Sequence, residues 1–194
     1  EFGKLLNLPL TYGLGEQTDA SFPEMVAHAK SILSVSVAEG FGLGFLEPWT
    51  FGKGLGGRNL PDITSEFSEL GVSLANLYDW LPVPLDCISS VIQLKKTLQS
   101  ALEEFYLSYQ QDLPQDGAEI AFQSMVSNDS IDFGRLDEPN QQTIIRAVAN
   151  SPDLQLGIQR HAGLEALDKE IIDCNRKAVA EHFSISSYAH RTLE

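Results

Sequence analysis

Basic residues are scarce in this chain. Lys and Arg number 13 against 27 Asp and Glu, a formal net charge of −14 over 194 residues. The shortage is general. Residues 1–70 hold 4 basic and 9 acidic groups, and residues 71–194 hold 9 and 18, so no acidic tail accounts for it. Nucleic acids and anionic lipid surfaces are held by basic faces, so both are disfavoured as nonspecific partners. A small anionic ligand stays compatible, because a few backbone N–H groups and one Arg bind a phosphate locally. Cysteine is also scarce. Cys87 and Cys174 lie far apart with no Cys-x-x-Cys spacing, which disfavours a disulfide framework or a zinc site. Reduced, buried thiols are expected instead. No apolar run reaches the ~18–20 residues of a membrane span, and the opening residues carry no signal-peptide pattern. The expected location is cytoplasmic. The chain starts Glu1-Phe2 without Met and ends Leu193-Glu194, which reads as an expressed fragment of a longer protein.

Hydrophobic residues make up 43% and charged residues 21%, enough apolar material for a core without staples. Two regions are expected, 1–70 and 71–194. In the first, Leu8–Tyr12 reads as a strand closed by Gly13 and Gly15. Residues 22–30 read as a short helix with Pro23 in its first turn. Ser31–Val37, rich in β-branched and apolar residues, reads as a buried strand. A glycine-rich loop, a helix and a short strand around Leu55 follow. This alternation implies an α/β fold with a parallel sheet.

The second region is mostly helical. Residues 90–110 carry an apolar stripe of Val91, Leu94, Leu98, Leu102, Phe105 and Tyr109 at helical spacing. This stripe is either core or the cover of a partner surface. Further helices are expected from Pro139 to Ala149, from Pro152, over 164–180, and from Ser184-Ile185-Ser186. The last is expected to pack back on the α/β part. Asn128–Asp137 is polar and contains Gly134, so it reads as a loop.

Chemistry concentrates in Ala38-Glu39-Gly40-Phe41-Gly42-Leu43-Gly44-Phe45-Leu46-Glu47-Pro48-Trp49. A strand ends in an acidic residue. Gly40, Gly42 and Gly44 then let backbone N–H groups approach a ligand, and a helix N-terminus adds unpaired donors. Glu39 is expected at the loop mouth. Glu47 is expected about one turn into the helix, facing the same crevice and suited to a bidentate contact with vicinal hydroxyls. Phe45, Leu46, Pro48, Trp49 and Phe51 surround Glu47, so much of its surroundings is expected to be buried, and a carboxylate there needs a partner or a ligand.

This run resembles the E-x7-E signature of retaining GT-B glycosyltransferases of family four. Glu39, Gly40, Phe41, Gly42, Leu43, Leu46 and Glu47 all match it. Ser36 stands at the family's serine position, residues 22–27 resemble its preceding short helix, Phe51-Gly52-Lys53 its next turn, and Pro61-Asp62-Ile63 a later element. Residues 183–193 are similar to its final helix. The resemblance covers about residues 8–70 and implies a partial Rossmann-like, donor-binding sheet followed by a family-specific helical region. It implies a nucleotide sugar as donor substrate, no other cofactor and no metal. Glu39 would place the transferred sugar as the catalytic residue, Gly40, Phe41, Gly42, Leu43 and Gly44 would meet the sugar or phosphates, and Glu47 would hold the ribose hydroxyls. It further implies an N-terminal acceptor domain that these residues do not include, so this chain alone is expected to be inactive.

Plainer readings stand beside these. The glycines form ordinary turns and the glutamates are surface carboxylates, or the pattern is a donor loop. Lys53 and Arg58 contact a phosphate or are solvated. Asp62 caps a helix starting near Ser65 or lines the cleft. His28, His161, His182 and His190 have no metal-ligand spacing. A non-catalytic nucleotide-sugar or sugar-phosphate binding module and a structural domain with a vestigial site, dimerising through an exposed sheet edge, are the competing functions.

Overall fold

A computed structural model describes residues 2–162, 167–185 and 187. The chain is mixed α/β and mostly helical. Its elements run α1 (Phe2–Leu5), α2 (Leu14–Gln17), α3 (Phe22–His28), β1 (Ser31–Ser34), α4 (Glu47–Thr50), β2 (Gly54–Gly57), α5 (Pro61–Glu69), β3 (Pro82–Pro84), α6 (Val91–Ser108), α7 (Gly117–Ser124), β4 (Val126–Ser127), β5 (Ser130–Asp132), α8 (Glu138–Ala149), α9 (Pro152–Gln159) and α10 (Lys169–His182). They divide into two compact units. One comprises Gly3–Asp79 and the described residues from Gln159 onward; the other comprises Trp80–Ile158 with Phe2. Among the described residues no helix is long and apolar enough to cross a membrane.

In the first unit β1 and β2 pair in parallel, with Ser31 opposite Gly54 and Ser34 opposite Gly57. Gly57 has φ +118°, and a Cβ there would run into the Ser34 carbonyl, so the close approach of the strands requires glycine. The core gathers Phe45, Leu46, Trp49, Leu55, Phe67, Val72, Leu74 and Val179. Helix α10 packs on α4 and supplies Val179, so a segment more than a hundred residues distant completes this layer. Helix α3 opens with a capping box. The Glu24 carboxylate accepts from the Ser21 backbone N–H at 2.8 Å and from its hydroxyl at 2.7 Å. Those bonds hold the Glu24 carboxyl below its ordinary pKa, the hydroxyl contributing most.

The second unit joins an antiparallel sheet, in the order β3-β5-β4, to helices α6–α9. Ser90 caps α6 by accepting from the Gln93 N–H at 3.2 Å, and Asp137 caps α8 by accepting from the Asn140 N–H at 3.0 Å. Leu94, Phe122, Met125, Ile131, Leu136 and Ile144 fill the core. Asp132 is fully buried, and its carboxylate accepts from the N–H groups of Leu81 and Gly134, with Arg135 at 3.6 Å.

The structure departs from the sequence reading at several points. Leu8–Tyr12 forms no strand. Pro9 has no N–H for a ladder, and the Leu10 N–H turns back to the Leu8 carbonyl at 2.7 Å. The strand expected over Ser31–Val37 stops at Ser34 and is not buried: Leu33, Val35 and Val37 are all exposed. Asn128–Asp137 is no loop. Asn128 and Asp129 adopt left-handed φ values of 48° and 58°, the two-residue turn that joins β4 to β5, and Ile131 is fully buried. Helix α5 begins at Pro61, not near Ser65, which places Asp62 inside its first turn, where its charge favours the helix N-terminus. Helix α10 begins at Lys169; residues 164–166, expected to open it, lie outside the described residues, as do Ser186 and residues 188–193 of the expected C-terminal helix. Helix α7 was not anticipated. Cys87 is half-buried but Cys174 is exposed, which corrects the expectation of two buried thiols.

Candidate functional site

The candidate loop leaves the carboxyl end of β1, and a second loop leaves the adjacent end of β2. Because the strands are parallel, both loops emerge at one sheet edge, where ligands of parallel α/β sheets are held. The Arg58 N–H donates to the Ser34 carbonyl at 2.9 Å and ties the two strand ends together.

Gly42 is the pivot of the first loop. Its φ of +68° is left-handed, and a Cβ would collide with Ile63 Cγ2 and the Phe67 ring of α5. Only glycine lets the loop settle on that helix. A 3-10 turn, Leu43–Phe45, follows, with the Phe45 N–H donating to the Gly42 carbonyl at 2.9 Å. Helix α4 begins at Glu47. Thus Glu47 lies in the first turn of a four-residue helix instead of one turn inside a longer one.

Burial sorts the site residues. Phe45, Leu46, Pro48 and Trp49 are buried, and the Trp49 indole N–H donates to the Phe45 carbonyl at 2.7 Å. This anchoring turns Glu47 outward. Its surroundings are largely buried, as the sequence suggests, but Glu47 itself is exposed. Glu39 is exposed as well, and Oε1 accepts from the Ser36 hydroxyl at 2.6 Å. Gly40, Phe41, Leu43 and Gly44 are exposed, and Gly42 alone among the loop positions is buried. The site residues therefore span one loop, braced internally at Glu39 and against α5 at Gly42, and the first turn of α4 that follows it.

The two nearby cations resolve differently. Lys53 Nζ donates to the Ala27 and Ala29 carbonyls at 2.6 and 2.8 Å, closing the C-terminus of α3. Arg58 is 6% exposed and so is no solvated surface charge. Sequence reasoning missed Asn59 and Thr64. The Thr64 hydroxyl donates to Asn59 Oδ1 at 2.6 Å, and Asn59 Nδ2 donates to Asp79 Oδ1 at 2.7 Å, a chain that fixes the second loop. Asn59 also lines an open groove of about 490 Å³ with Ser68, Val72, Ser73 and Leu74. The signal for it was the Asn-Leu-Pro stretch after a Gly-rich strand, which marks a βα turn.

No group of three or more His, Cys, Asp or Glu among the described residues is placed to hold a metal ion. No family model, curated protein or solved structure matches the chain.

Proposed function

We propose that this chain is the donor-side part of a nucleotide-sugar-dependent glycosyltransferase, carrying out retaining transfer to a hydroxyl acceptor together with an acceptor domain outside these residues. In this reading the sheet is a reduced Rossmann-like donor layer. Backbone N–H groups of Gly40–Gly44 meet oxygens of the donor as charge builds on the leaving diphosphate. Glu39, steadied by Ser36, orients the hydroxyls of the transferred sugar. Glu47 accepts two hydrogen bonds from the ribose diol. What supports the reading most is that both glutamates are exposed, Glu39 on a glycine-braced loop at the carboxyl edge of a parallel strand pair and Glu47 in the helical turn that this loop leads into.

Thermal unfolding against a panel of nucleotide sugars tests it. A ligand at 100 times its dissociation constant stabilises by about 2.7 kcal/mol. The expected result is a raised melting temperature with at least one nucleotide sugar, lost in Glu47→Ala. A shift that survives in both Glu47→Ala and Glu39→Gln contradicts the assignment.

A binding module without turnover is the second reading. The commitment of Lys53 to the α3 carbonyls favours it, since that cation is then not offered to a leaving diphosphate. Binding without hydrolysis or transfer, in the presence of the acceptor domain, distinguishes the two.

A further inference from the structure

The apolar stripe of α6 outruns its core. Val91, Leu94 and Leu98 pack within the second unit, but the same face continues through Leu102, Phe105, Tyr106 and Tyr109. There Phe105 is 58% and Tyr109 66% exposed. The rings group by themselves. Phe105 lies 5.1 Å from Tyr109 and 6.1 Å from Tyr106, centroid to centroid. Gln110 takes a left-handed φ of 56°, and the Gln111 N–H folds back to the Tyr106 carbonyl at 3.0 Å. That turn closes a shallow cavity of about 280 Å³ lined by Phe105, Tyr106, Tyr109 and Gln111.

The stretch of chain that carries this cavity has charge of one sign. From residue 97 to residue 134 the chain has no Lys, Arg or His and seven carboxylates. Glu103 and Glu104 precede the aromatic group directly, and Asp112 and Asp116 follow it, all exposed. The unit already shows what such a pairing accepts. Lys95 Nζ sits 4.3 Å from the centroid of the Phe122 ring and 2.8 Å from the Glu119 carboxylate. A cation held between a ring face and a carboxylate gains from both.

We propose that the C-terminal end of α6 is a docking surface for a basic, amphipathic segment of a partner protein. Aliphatic side chains of the partner fill the cavity over Tyr106. Its Arg or Lys groups lie over Phe105 and Tyr109 and pair with Glu103, Glu104, Asp112 and Asp116. A second copy of this chain fits poorly, because two such faces bring like charges together. An anionic membrane is repelled for the same reason.

The test is calorimetric titration with a synthetic amphipathic peptide of repeated Leu-Arg-Arg-Leu, and with its Leu-Glu-Glu-Leu counterpart. The Arg peptide is expected to bind and the Glu peptide not to bind. Phe105→Ser with Tyr109→Ser, and separately Glu103→Gln with Glu104→Gln and Asp112→Asn, are each expected to weaken binding about tenfold. Equal charge removal elsewhere, at Glu66→Gln, Glu69→Gln and Glu170→Gln, is expected to change it less than about twofold. Circular dichroism checks that each variant is folded. The proposal is overturned if the Arg peptide fails to bind, or if the aromatic variant binds it as tightly as the parent. It is overturned equally if remote charge removal weakens binding as much as local removal, or if sedimentation shows a dimer that Phe105→Ser abolishes.

Discussion

Asn175 and Ser73 exchange two hydrogen bonds across 102 residues of sequence. The Ser73 N–H donates to Asn175 Oδ1 at 2.7 Å, and Asn175 Nδ2 donates to the Ser73 carbonyl at 2.8 Å. Asn175 is fully buried. One amide side chain thereby imitates a strand neighbour and fastens α10 to the segment that follows α5. Truncation to Asn175→Ala leaves a donor and an acceptor of Ser73 unmatched and is expected to cost about 2 kcal/mol. Asn175→Asp should cost more, since it loses the donor and buries a charge. Urea denaturation reads both. An Asp variant as stable as the parent contradicts the buried pairing.

Gly42→Ala should disturb the loop and not merely the local backbone. The left-handed φ costs roughly 1–2 kcal/mol for a residue with a Cβ. The collision with Ile63 and Phe67 adds an overpacking cost of roughly 1–3 kcal/mol. Gly44→Ala, which has open space around its Cβ, is the control and should be tolerated. Equal stability of the two variants in denaturant would falsify the docking of the loop on α5.

The hairpin between β4 and β5 carries a residue with a Cβ at the second turn position, where glycine is normally favoured. Asn128 and Asp129 both have positive φ. Asp129→Gly relieves the second position and is expected to stabilise the protein by about 0.5–1 kcal/mol. A shift of the denaturation midpoint to lower urea contradicts the turn assignment.

The two thiols should separate by reactivity. Burial raises the Cys87 pKa, and the adjacent Asp86 charge and its hydrogen bond raise it further. Cys174 is exposed. Limited alkylation at mildly alkaline pH, followed by peptide mass analysis, should mark Cys174 first. Labelling of Cys87 at the same rate in the folded protein contradicts its half-buried place.

Helices with strong local grammar were legible in the sequence. Pro23 and Pro139 in first turns and the apolar stripe from Val91 marked helix starts, and the structure adds the caps Ser21 with Glu24, Asp137 and Ser90 that complete them. The parallel pairing of β1 with β2 was legible from the alternation of strand, helix and strand. The hairpin was not, since Asn128-Asp129 lacks the glycine that normally signals such a turn. Nor was the exposure of Leu33, Val35 and Val37, because composition cannot say which face of a strand finds a partner. At the site, the loop and its glycines were visible. The outward turn of Glu47 was not, because it depends on Phe45 and Trp49 being locked inward by the indole hydrogen bond. The Asn175–Ser73 link is a tertiary fact with no local trace.

In the proposed function the Gly40–Gly44 loop meets a nucleotide sugar. The most direct measurement is a proton–nitrogen correlation titration of the labelled chain, following the glycine amides. One nucleotide sugar is expected to shift the amides of Gly40, Gly42 and Gly44, the free sugar is not, and Glu47→Ala is expected to abolish the effect. Unmoved loop amides at saturating nucleotide sugar, or shifts confined to the second unit, would contradict it.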